Sequence, residues 1–257
     1  MIEDKMKRSG NTFKLVSIIA LSAAVLTSAG CSPTPNPAPT ETIAPPVKKI
    51  NGVPTLPDVV NNGRGDYLQS TILANDPAMK YNPELVDKEA TDVANAEGLD
   101  LPNMQAFAVK FVAEEGLDST LNGGGDVDAW WDKHKDLVAP ESQENILSKL
   151  KNNDGVNTLI ATGAPRVGKY DFTYGEDKTR ISRRSISVNS IKVSKSDAKA
   201  FDISLTAIYA MNITQNKRDG IEMDEAKLNL TIRPGAVPTQ WFITGYDNKY
   251  KTTLAAE

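Results

Sequence analysis

Histidine and cysteine most often supply a proton acceptor, a metal ligand or a nucleophile near neutral pH. This chain of 257 residues holds one of each, His134 and Cys31. A Ser–His–Asp arrangement would have to use His134, and no Gly-x-Ser-x-Gly accompanies it. Zinc sites need two or more His or Cys ligands as a rule, so no metal and no cofactor are expected. Two tryptophans, Trp130 and Trp131, stand just before His134 in a helical stretch. Neighbours on a helix lie about 100° apart, so one indole should face the core and the other the edge of a helix–sheet groove. Trp130, Trp131 and His134 are therefore the candidate pocket, with His134 itself at the surface or half-buried. Asp126 and Asp128 follow three glycines. They lack the further oxygen ligands of a calcium loop, and their simpler role is to favour a helix N-terminus. No catalytic residue is assigned.

Cys31 has a different context. Lys7, Arg8 and Lys14 precede an apolar run, Leu15 to Leu26, and small residues lead from it to the cysteine: Ser28-Ala29-Gly30-Cys31. A basic region, a short apolar core and a small-residue cleavage site make a secretory signal. The run is shorter than the roughly 20 residues a spanning helix needs. Glu3 and Asp4 break the basic region, so translation starts at Met1 or at Met6. Ser28-Ala29-Gly30-Cys31 resembles the bacterial lipobox, with Ser28 where Leu is common. The resemblance implies diacylglycerol on Cys31, cleavage just before it, and a lipid anchor on the outer face of the cell membrane.

Removing residues 1–30 takes away four of the 29 basic and two of the 33 acidic side chains. The remaining 227 residues then carry 25 against 31, a net charge of −6. That balance argues against nucleic acid and against a polybasic grip on anionic lipid. Residues 31–57 are dense in proline and lack an apolar period, as in a disordered tether. Residues 58–97 have more to bury and read as a partly ordered arm. Within them Pro83 opens a short helix through Val93, and Arg64-Gly65-Asp66 spells an adhesion-type tripeptide too short to carry a role. Gly163 to Lys169 resembles a phosphate loop, but Tyr170 stands where Ser or Thr is required.

Residues 98–257 form the domain proper. Asn103 caps a helix whose Met104, Phe107, Ala108, Phe111 and Val112 fall at helical spacing. A second helix runs from Asp126 or Val127 to Leu137. Pro140 precedes a third, with Ile146, Leu147 and Leu150 on one face. From about Val156 the period becomes two. Tyr170, Phe172 and Tyr174 alternate, then Ile186 and Val188, then Ile191 and Val193. Every second residue from Phe201 to Ile213 is apolar, the strongest strand pattern in the chain. Its opposite face turns apolar at Ile208 and Ala210, which makes the strand central at that end. Leu228, Leu230 and Ile232 alternate, and Trp241 and Ile243 share a face. Lys195-Ser196-Asp197 and Arg218-Asp219-Gly220 read as the turns between neighbours. Helices followed by consecutive antiparallel strands make an α+β order.

Helices bearing Phe107, Phe111 and Trp130, then a curved antiparallel sheet through Tyr246, resemble the cone of the nuclear-transport-factor-2-like (NTF2-like) superfamily over residues 103–247. That resemblance implies a domain that binds or assembles in the envelope, or an enzyme with a carboxylate or His134 inside the cone. The scarcity of His and Cys favours a non-catalytic module with an envelope protein as partner.

Overall fold

The computed structural model describes residues 49–50, 52–63, 65–152, 171–172, 179–215 and 218–256. The signal segment, Cys31, residues 32–48 of the tether, the Gly163–Lys169 loop, Tyr170 and Tyr174 lie outside the described residues. Arg64 does too.

The protein is α+β, with helices and two antiparallel sheets. The first sheet joins β1 (Lys49–Ile50), β2 (Val53–Asn61) and β3 (Asp66–Ser70) in that order. Strand β2 begins inside the stretch read as tether, and Val53 and Thr55 are buried in it. Residues 58–97, read as an arm, supply Ile72, Ala78, Ala90 and Ala94 to the same core cluster as the later helices and strands. Pro83–Leu85 is a 3-10 turn that ends before Val86. The helix expected there starts later, as α1 (Lys88–Glu97), because Asp87 caps it by accepting from the Ala90 N–H. Gly98 closes α1 at φ 66°, a conformation that costs glycine little.

Helix α2 (Leu101–Phe111) begins three residues before the expected start. Asp100, not Asn103, is the cap: its carboxylate accepts from the Asn103 N–H at 2.9 Å. Pro102 sits in the first turn, where its missing N–H costs nothing. One π-helical turn, Val112–Gly116, continues α2. Helix α3 (Val127–His134), capped by Asp126, runs into a 3-10 turn at Lys135–Leu137. Helix α4 (Gln143–Asn152) follows, with Ile146 and Leu150 buried.

The second sheet holds β4 (Asp171–Phe172), β5 (Ile181–Val193), β6 (Phe201–Gln215), β7 (Arg218–Pro234) and β8 (Trp241–Ala256), all antiparallel. Strand β6 is central: β5 and β4 share one of its edges and β7 takes the other, with β8 beyond. Phe201, Ile203, Leu205, Ala207, Tyr209, Met211 and Ile213 are all buried on one face. Asn189 is an extra residue in β5 between Val188↔Leu205 and Ser190↔Ser204. That bulge shifts the inward parity, so Ile186 and Ile191 are both buried although they are five apart.

Two expectations need correction. The sheet is open and is not curled or closed into a cone. Arg218-Asp219-Gly220 is not a turn: Arg218 already pairs with Gln215, and Gly220 with Ile213. On the other face of β6 Ala210 is buried and Ile208 is exposed, and the strand is central, with neighbours on both edges.

Candidate functional site

Trp130 and His134 are one helical turn apart on α3, so their side chains share a face. The rings stack at 4.5 Å between centroids and 27° between planes. Both are buried, which corrects the surface or half-buried place expected for His134. Trp131 is also buried, so neither indole is left at an exposed edge. The reason is that α3 has neighbours on more than one side: α4, the turn Thr120–Gly123 and the π-helical turn.

A residue that the sequence reading passed over sits at the centre of this cluster. Glu115, on the π-helical turn, accepts from Trp130 Nε1 at 2.7 Å through Oε2. Its Oε1 lies 3.1 Å from His134 Nε2 and accepts from Gln69 Nε2, on β3, at 3.0 Å. The same Gln69 amide donates to the Glu114 carbonyl at 2.8 Å. The π turn makes this convergence: one residue of extra winding turns Glu115 inward, toward α3 and β3. The signal in the sequence was an acidic pair, Glu114-Glu115, closing an otherwise apolar helical run.

Burial alone would push the Glu115 carboxyl up. The His134 hydrogen bond and charge, with the Trp130 and Gln69 hydrogen bonds, outweigh it and hold the group below its ordinary value. A depressed carboxyl contributes stability that is present above its unfolded value and is lost as pH falls through the folded one. Glu115→Gln should therefore lower the urea midpoint near neutrality, and the gap to wild type should shrink below about pH 4. A gap that stays constant down to acid pH would mean that Glu115 is not ionised in the folded protein.

His134 Nδ1 lies 2.8 Å from the Trp130 carbonyl oxygen. Both of its ring nitrogens thus face oxygen acceptors, a carbonyl and a carboxylate. Both nitrogens are thereby engaged with groups of the fold itself. Trp130, Glu115 and His134 themselves line a cavity of about 300 Å³, with Gln69 and Lys133 also in its wall; Trp131 does not line it. It is at the small end of the range for ligand pockets.

A second buried polar cluster lies behind the first. Arg180 and Asp118 are fully buried and paired at 2.8 Å. Asp118 also accepts from the Ser70 N–H at 2.6 Å, and its carbonyl accepts from Tyr67 Oη at 2.8 Å. Burial opposes the guanidinium charge, and Asp118 outweighs it, so Arg180 is held above its ordinary value. On the inner face of β7, Glu222 and Asp224 are buried opposite Met211 and Tyr209. Burial and Asp224 push the Tyr209 phenol well above its usual range.

Asp126 does what a helix N-terminus asks of it, accepting from the Asp128 and Ala129 N–H groups. Asp128 pairs with Lys151 at 2.6 Å. Among the described residues no group of three or more His, Cys, Asp or Glu side chains could hold a metal ion. No helix among them is long and apolar enough to cross a membrane. Comparison with protein-family models, with curated proteins and with solved structures finds no match to this chain.

Proposed function

We propose that the chain is an exported lipoprotein, anchored through diacylglycerol on Cys31, that serves as a non-catalytic binding or assembly module at the outer face of the membrane, with an envelope protein as partner. The anchor is supported by the order of basic region, apolar run and Ser28-Ala29-Gly30-Cys31. The non-catalytic part is carried by one observation: both His134 nitrogens are committed to Glu115 and to the Trp130 carbonyl. General base catalysis needs a lone pair within reach of the proton it removes. Glu115 is no better placed as a general acid, because its carboxyl is held below its ordinary value.

The enzyme reading keeps one point in its favour, the cavity beside a His next to a buried carboxylate. Membership of the NTF2-like superfamily is supported by the order of elements, helices before long antiparallel strands. The open sheet is the point against it.

Labelling with a fatty-acid analogue tests the anchor. Wild type should take up label and fractionate with membranes. Cys31→Ala should take up none, stay unprocessed and lose the acyl-dependent part of its membrane binding. Unchanged labelling and processing in Cys31→Ala would overturn the lipoprotein reading. A turnover of any envelope substrate that disappears in His134→Gln, in protein that still melts cooperatively, would replace the binding module by the enzyme.

A further inference from the structure

A groove opens at the end of the sheet where α1 meets the two loops that join β5 to β6 and β7 to β8. Its volume is about 440 Å³, larger than the cavity beside His134. Val93 and Leu99 line the α1 side, and Val237 and Pro238 line the loop side. Val237 is 53% exposed, one of few large apolar side chains so placed. An exposed valine on a loop is unremarkable when the loop is slack. This loop is pinned: the Gly235 N–H donates to the Gln240 carbonyl at 2.7 Å, and the Gln240 N–H to the Val237 carbonyl at 3.0 Å. Ala236 N–H adds a bond to the Gln240 side chain at 3.2 Å. The apolar tip is therefore presented in a fixed shape, and a preorganised surface loses less freedom on binding.

Two exposed charges of opposite sign flank the groove from different walls, Glu97 on α1 and Lys199 on the β5–β6 loop. No ion pair engages either of them among the described residues. A two-fold axis that runs along a groove sets each wall against the opposite wall of the partner. Opposite charges on opposite walls then meet twice, acid against base, with an apolar strip between them. Like charges on the two walls would forbid the same docking.

We propose that this groove is the interface of a two-fold symmetric dimer, in which the Val237–Pro238 tip of each copy packs into the groove of the other and Glu97 of one copy faces Lys199 of the second. The contact is small and belongs to the weak, reversible class. The inference stands on the groove alone and does not require the lipid anchor.

Sedimentation of the full chain in a neutral detergent, from about 1 μM to about 1 mM, spans the affinities such an interface would have. All variants share the same N-terminal segment, so association through that segment is common to all of them. Wild type should show a concentration-dependent monomer–dimer equilibrium. Lys199→Glu and Glu97→Lys should each weaken it at least about tenfold by setting like charges face to face. Val237→Glu should abolish it. The double variant Glu97→Lys with Lys199→Glu should restore it. All three positions of change are exposed, so an unchanged melting curve is expected and checks that the fold is intact. A wild type that stays monomeric throughout gives the groove to some other occupant and overturns the proposal. A dimer indifferent to Lys199→Glu and Val237→Glu, or one that the charge exchange fails to restore, overturns it as well.

Discussion

Asp118→Ala is expected to cost about 3–5 kcal/mol, out of a total stability of about 5–15 kcal/mol for a domain of this kind. The carboxylate holds three parts of the fold together. It binds Arg180 Nε just before β5, accepts from the Ser70 N–H at the end of β3, and stands two residues beyond the π-helical turn. Arg180 and Asp118 are both fully shielded from water. Removing the acid takes away the carboxylate to which a buried guanidinium donates, and water cannot replace it. The Arg180 bonds to the Leu117 carbonyl and to Met211 Sδ do not neutralise its charge. Replacing both partners should cost less than removing one. Asp118→Leu with Arg180→Met deletes both charges, leaving the Ser70 N–H and the Leu117 carbonyl at about 1–3 kcal/mol each. Urea unfolding reads the difference. If Asp118→Ala lies within about 1 kcal/mol of wild type, the pair is not a fixed ion pair in the folded protein.

The strands were legible where one face is buried without interruption. In β6 seven alternating apolar residues from Phe201 to Ile213 predicted seven buried side chains. In β5 the alternation breaks between Val188 and Ile191. A bulge at Asn189 keeps both halves on the same inner face, but local period alone could not join them into one strand. In β7 the pattern was read only from Leu228 to Ile232. Counting back by twos places Asp224 and Glu222 on the same inward face, where they are buried. Two carboxylates at alternate positions look like a solvent face, and hydrophobicity alone does not place them inward.

The site was half legible, for a related reason. Trp130 and His134 are four apart on a helix, and their stacking follows from that spacing. Glu115 lies fifteen residues before Trp130, and Gln69 is forty-six residues before Glu115. Only tertiary packing around a π turn brings those four side chains together. The argument that adjacent tryptophans cannot both be covered holds for a helix lying on one sheet. It fails for α3, which is also flanked by α4 and by the turn Thr120–Gly123. The cap of α2 was misplaced because Asn103 was weighed without Asp100 and Pro102, which together mark an earlier start.

Leu205→Ala should be the most damaging of the simple truncations in the sheet, costing about 2–5 kcal/mol. Leu205 is 1% exposed at the middle of β6, paired with Val188 on one side and Leu228 on the other. Three aliphatic side chains from three strands thus lie in one inward row. Alanine there removes three carbons and leaves a void that the strands cannot close, since their hydrogen-bonded register fixes the spacing between them. Ser204 is the internal control. It lies one residue away in the same strand, points to the opposite face, and donates to the Asn229 side chain at 2.8 Å. Ser204→Ala deletes one partly exposed hydrogen bond, worth about 0.5–1.5 kcal/mol. The melting temperature should fall steeply for Leu205→Ala and little for Ser204→Ala. Two equal falls, or the reverse order, would mean that β6 presents its other face to the helices.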